Sequence, residues 1–152
     1  MPDPSRPKIV KTITEDKGDI RFIRHYHQNG QLVKEIRCKR MIGGERIAYH
    51  GKSRQWSSDG RFIGSFTLNE GTGVCREWYD NGQMARETSM VDGKITGLPR
   101  AWDEGGFLLG ERFYYQFKHI SNKKYRELQE SDPNVPRYPD DAFENIAKKR
   151  KR

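Results

Sequence analysis

The chain has 152 residues, a net charge of +8 and only 33% hydrophobic residues, with a mean hydropathy of −1.03. These values exclude a large apolar core and a bilayer-spanning run, and they predict one domain with tails. Fifteen glycines and 11% aromatics point to a thin, turn-rich β structure whose few large side chains carry the burial.

Residues 1–8 are proline-rich, show no apolar pattern, and are predicted disordered. No apolar run near the start is long enough for a signal peptide, so a cytoplasmic location is expected. Cys38 and Cys75 give neither a disulfide framework nor zinc spacing. A β-hairpin domain is predicted over residues 9–118. Ile9 to Thr14 reads as a first strand and Ile20 to His27 as a second.

From there one phrase recurs. GKSRQW (Gly51 to Trp56), GVCREW (Gly73 to Trp78) and GLPRAW (Gly97 to Trp102) all read Gly-x-x-Arg-x-Trp. A weaker copy, RHYHQNG, sets Tyr26 in the Trp place. A glycine follows each aromatic by four residues, at Gly30, Gly60, Gly82 and Gly106, in steps of 30, 22 and 24. Such periods mark repeat architectures. Asn29-Gly30, Asp59-Gly60 and Asn81-Gly82 predict two-residue type I′ hairpin loops, and Gly105-Gly106 permits the same.

Counting outward from those loops predicts cross-strand partners. Arg76 should face Glu87, Arg24 Glu35, and Arg100 Glu111, whereas Arg54 meets Ser65. Trp78 should face Ala85, Tyr26 Val33, Trp56 Ile63, and Trp102 Leu109. Arg and aromatic are two residues apart and share a face. We read that face as the inner one, an aromatic ladder flanked by charged pairs worth about 0.2–1 kcal/mol each, with cation–π contacts available to the arginines.

Gly51, Gly73 and Gly97 are expected where an adjacent hairpin approaches closely. Asp92-Gly93 and Gly43-Gly44 mark connecting turns, and the 30-residue step predicts a longer loop within Arg40 to His50. Arg112 to Lys118, containing FYYQF, reads as a last aromatic strand. A capping helix is predicted over 119–131, with Ser121 as N-cap, Asn122 to Glu130 helical, and Tyr125 and Leu128 as its apolar stripe. Residues 132–152 read as an extended proline-rich segment, a marginal helix from Ala142 to Lys149, and a basic tail.

The segment REWYDNGQMARETSMVDGKITG, Arg76 to Gly97, resembles the MORN-variant repeat, and the resemblance covers about Phe22 to Tyr115. The chain departs from that pattern at Ser65, at the long first connection and at Gly105. The resemblance implies an all-β fold, an elongated antiparallel sheet of successive hairpins. It also implies a non-catalytic scaffold whose partner is another protein, including the toxin of a toxin–antitoxin pair.

Recurring residues read as architecture, since a catalytic site is usually unique. Tyr26, Trp56, Trp78, Trp102, Arg24, Glu35, Arg54, Arg76, Glu87, Arg100 and Glu111 are therefore structural. Functionally, they line a groove for an extended peptide. No cofactor, metal site or catalytic residue is expected. His25 and His27 share a strand face but lack further ligands in register. The tail Lys148, Lys149, Arg150, Lys151 and Arg152 supplies +5 of the net charge. It reads as a nucleic-acid or anionic-lipid contact, an import signal or a solvated end. The first strand and FYYQF are the exposed edges, open to edge-to-edge dimerisation.

Overall fold

The computed structural model describes residues 8–43 and 46–144. The expectations for residues 1–7, for Gly44 and for the basic tail lie outside the described residues. What is described is a mostly antiparallel β protein with one short helix near its C-terminal end.

Eleven strands form one sheet: β1 (Ile9–Lys17), β2 (Ile20–His27), β3 (Leu32–Arg40), β4 (Ile47–Tyr49), β5 (Gly51–Trp56), β6 (Phe62–Asn69), β7 (Thr72–Trp78), β8 (Met84–Val91), β9 (Lys94–Ile95), β10 (Arg100–Trp102) and β11 (Leu108–Glu111). The chain meanders, each strand beside its sequence neighbours except at two breaks, one just before Gly51 and one at Gly97. β4 and β5 both pair with β3, on either side of His50, and β9 and β10 both pair with β8, on either side of Gly97. The long connection predicted between Arg40 and His50 joins β3 to β4.

The four hairpin turns differ from the two-residue type I′ loops expected. In each, the glycine N–H donates three residues back, to the carbonyl of His27, Ser57, Tyr79 or Asp103. Those same four residues donate to Gln31, Arg61, Gln83 and Phe107. Only the glycine has positive φ, so each is a three-residue loop, a type I turn closed by a glycine bulge. The extra residue moves the aromatic one place along its partner strand. Tyr26, Trp56, Trp78 and Trp102 oppose Leu32, Phe62, Met84 and Leu108, not Val33, Ile63, Ala85 and Leu109. Beyond the bulge the predicted register holds. Arg24 opposes Glu35, Arg54 Ser65, Arg76 Glu87, and Arg100 Glu111.

Asparagine at the turn has a second task. Asn29 and Asn81 each accept from the backbone two residues on, at 2.9 Å, which closes their own turns. Their Nδ2 atoms reach the next hairpin, at Ser58 O (2.9 Å) and Glu104 O (3.1 Å). Asp80 completes the row by accepting from Ser58 N and Oγ, both at 2.6 Å. The opposite ends are also stitched. Gly71 N donates to Tyr49 O, Gly93 N to Gly71 O, and Phe117 N to Ile95 O. Glu70-Gly71 and Asp92-Gly93 are the two-residue turns here, each with positive φ at both positions.

The FYYQF strand is broken. Tyr114–Tyr115 (β12) folds back on Lys118–His119 (β13) through Gln116 and Phe117, both at positive φ. Helix α1 (Asn122–Ser131) starts at Ser121, whose side chain accepts from Lys124 N as predicted. Tyr125 is fully buried, and it packs with Leu98, Phe113 and Val135 in the apolar cluster of this end. The proline-rich segment folds back onto this cluster. Tyr125 Oη donates to Pro136 O at 2.8 Å, and the Gln129 amide bonds both backbone groups of Tyr138. Of the predicted Ala142 to Lys149 helix, the described part is a 3-10 turn, Asp140–Phe143.

Candidate functional site

Alternation along β5 and β6 decides which face is which. Ser53, Gln55, Phe66 and Leu68 are buried, and Lys52, Arg54 and Thr67 between them are exposed. The Arg–Glu row is therefore not the inner face in this hairpin, against the expectation. The deeper side chains point the other way.

Within the row, Arg24 Nε meets Glu35 Oε2 at 2.9 Å and Arg76 Nε meets Glu87 Oε2 at 3.3 Å. Arg100 opposes Glu111 as expected and has a further contact. Its Nη2 reaches Glu87 Oε1 on the neighbouring strand at 2.6 Å. Arg54 lies between Ser65 and Glu35 in register. Arg100 also stacks over Trp102 at 5.4 Å, and Arg24 over Phe22 at 5.0 Å. The tryptophans do not stack on one another. Trp56 meets Phe62 edge-on within its own hairpin, at 6.1 Å. Trp78 lies over Gly64, where an added Cβ would sit 2.6 Å from its ring.

A cleft of about 250 Å³ opens mainly on the face opposite the row, with two arginines of the row at its border. Its polar lining is His25, Lys34, Gln55, Glu77, Arg86 and Thr88, and its apolar part includes Ile36, Phe66, Cys75 and Tyr49. Arg54 and Arg76 also border it. A second hollow of about 380 Å³ shares Arg86 and Thr88 and continues past Ala101 and Gly110 to Arg112 and Tyr114. The absence of large side chains at Ala101 and Gly110 leaves that end open.

Lys34 and Glu77 lie three strands apart, about 14 Å on a flat sheet. Even so, Lys34 Nζ is 3.5 Å from Glu77 Oε2. The two side chains meet across the intervening strands β5 and β6. The cleft is therefore bridged by an ion pair, and Arg86 lies opposite Glu77 in register.

Burial, and then the Lys34 ammonium, hold His25 below its ordinary range, so the ring is neutral at neutral pH. Its Nδ1 lies 2.9 Å from Thr12 Oγ1. Burial pushes the Cys75 thiol up to about 11, so it is not an activated nucleophile. Burial also raises Tyr49. The charged groups left to the cleft are lysine, arginine and one glutamate, which suit binding by charge and hydrogen bonds. Among the described residues, no group of three or more His, Cys, Asp or Glu is placed to hold a metal ion. No helix among them is long and apolar enough to cross a membrane.

Sequence reasoning missed His25, Lys34, Gln55, Glu77 and Arg86 as a site. A signal existed: the position between Arg and the aromatic is His25, Gln55 and Glu77 in three copies. Those polar residues alternate with the motif and so share the other face. Comparisons with protein-family models, with curated proteins and with solved structures found no match.

Proposed function

We propose that this protein is a non-catalytic scaffold that holds an extended, acidic segment of another protein in the cleft. The observation that carries the reading is charge: Lys34, Arg54, Arg76 and Arg86 border the cleft, where Glu77 is the lining carboxylate and Glu87, outside the lining, holds Arg76. An extended segment is favoured because the hollow over β2–β8 adjoins a second one over β8–β12. A cationic trough of that form recognises carboxylates along a backbone and speeds encounter with an acidic partner.

The hairpins are, in this reading, copies of one repeat unit of MORN-variant type. Four turns with the same hydrogen bonds support it, as do the stitches between successive tips. The antitoxin role that the resemblance implies is one form of the same reading, with the toxin as the acidic partner.

The test is charge reversal in the cleft. Full-length protein and a Lys34→Glu/Arg86→Glu variant are immobilised, and partners are captured from the cells that make the protein. A stoichiometric partner should be retained by the first, released by salt, and lost with the second. Equal retention by both would refute the cleft as the binding site. An Arg24→Gln variant, altered on the opposite face, should retain the partner.

A further inference from the structure

We propose that β1 is a self-complementary edge through which two copies of this chain pair antiparallel about Ile13, joining their sheets into one. β1 ends the strand order, and all nine of its residues are exposed. Among the described residues, β2 is its only strand partner. Such an edge offers unpaired backbone donors and acceptors. Natural edges are usually protected by proline, by a bulge or by charge. β1 contains no proline, and its one register shift lies between Ile9 and Lys11, at the start. The remaining protection is charge, and the charge pattern selects one partner.

Two strands related by a two-fold axis normal to the sheet oppose residues of the same face. Centring the axis on Ile13 sets Lys11 against Glu15 of the second copy, twice. It also sets Thr12 against Thr14, twice, and Ile13 against Ile13. Opposite charges and threonine pairs directly across an antiparallel ladder are favourable. Register shifts that keep the faces matched lose this. Centring on Thr14 opposes Lys11 to Lys17. Centring on Thr12 opposes Lys11 to Ile13 and Glu15 to Ile9. The exposed Ile13, at 39%, gains an apolar neighbour only in the first register. Glu15 already lies 3.3 Å from Lys17 and 3.8 Å from Arg24, so a second lysine joins an existing cationic pair rather than a bare carboxylate. The occupant of this edge is a second copy, and the cleft on the sheet face stays open to its own partner.

The experiment is sedimentation equilibrium of the full chain across a concentration series, with circular dichroism to check folding. The expected result is a reversible monomer–dimer equilibrium. Lys11→Glu alone and Glu15→Lys alone each create two like-charge contacts and should weaken dimerisation about tenfold or more. The double exchange Lys11→Glu/Glu15→Lys should restore it. An Ile13→Cys variant should form a disulfide-linked dimer on oxidation, and Asp16→Cys should not, since position 16 meets position 10. A chain monomeric at every concentration would overturn the proposal. So would a double exchange that stays monomeric, or cross-linking at position 16 in preference to 13.

Discussion

The side-chain amide of Gln55 takes both backbone groups of Trp78, accepting from its N–H at 3.1 Å and donating to its C=O at 2.7 Å. Gln55 is on β5 and Trp78 on β7, so the amide crosses β6. It does so because the β6–β7 ladder has only two pairs, Leu68 with Gly73 and Asn69 with Thr72. Beyond them Trp78 would lack partners on that side, and Gln55 stands in for the missing strand. Gln55 is 3% exposed, so losing its amide strands buried backbone groups. Gln55→Ala should lower the free energy of unfolding by about 2–4 kcal/mol in urea titration.

Gly64 lies beneath the same ring. A methyl group there would meet Trp78 Cζ2 at 2.6 Å, and the ring is held by its clasped backbone. Gly64→Ala should therefore cost about 1–3 kcal/mol through overpacking. Its tryptophan emission should shift to the red as Trp78 is displaced outward. Loss of stability without that shift would mean the ring is not what the methyl meets.

Glu87 serves two arginines, Arg76 at 3.3 Å and Arg100 at 2.6 Å, on the strands either side of it. Glu35 makes one such contact, to Arg24 at 2.9 Å. The arginines on Glu87 are over a third exposed, so solvent screens both contacts. Glu87→Gln should still destabilise more than Glu35→Gln, by about 0.5–1 kcal/mol in thermal or urea unfolding.

His25 sets a pH dependence. Its unfolded value is near 6.5 and its folded value lies lower, because burial and Lys34 disfavour the charged ring. Between the two values the unfolded chain binds more protons. Stability should therefore fall as pH drops below about 6.5, and level off once folded His25 also titrates. His25→Asn should flatten that window. The loss at more acidic pH should remain, since hydrogen bonds from Arg21, Ser57 and Lys39 hold Asp16, Asp59 and Glu70 below their usual values.

Tyr138 ties the proline-rich segment to the sheet. Its hydroxyl accepts from Leu98 N at 3.0 Å, lies 3.2 Å from Ser89 Oγ, and sits where a Cβ on Gly97 would fall. Tyr138→Phe should cost about 1–3 kcal/mol, because the Leu98 N–H is left buried and unpaired. Amide exchange at Leu98 should speed up in parallel.

The turns and the pairing beyond them were legible because glycine position and charge pattern are local. Arg76 with Glu87 and Arg24 with Glu35 could be counted from Gly82 and Gly30 alone. The turn type was not legible, because Asn-Gly suits both a two-residue loop and a type I turn with a glycine bulge. The choice goes with Asn29 and Asn81, whose Nδ2 atoms bond to the next hairpin, a contact that no single hairpin contains. The contact of Arg100 with Glu87 was not legible for a similar reason, since the neighbouring strand offers a carboxylate that pair counting within one hairpin omits. The proline-rich segment was read as extended, and its docking was not legible because Tyr138 finds partners at Gly97 and Leu98, some forty residues away in sequence. The cleft stayed hidden because most of its residues lie outside the repeated phrase or at positions that phrase leaves variable.

The most direct test places a photo-cross-linking amino acid, p-benzoylphenylalanine, at Tyr49 or at Thr67 of the full chain in its own cells. Tyr49 is an exposed aromatic lining the cleft, and Thr67 is exposed on the opposite face. Light should couple a partner protein to the Tyr49 variant, at an acidic stretch identifiable by mass spectrometry, and not to the Thr67 variant. Coupling from Thr67 alone would contradict the account, and would move the working surface to the opposite face.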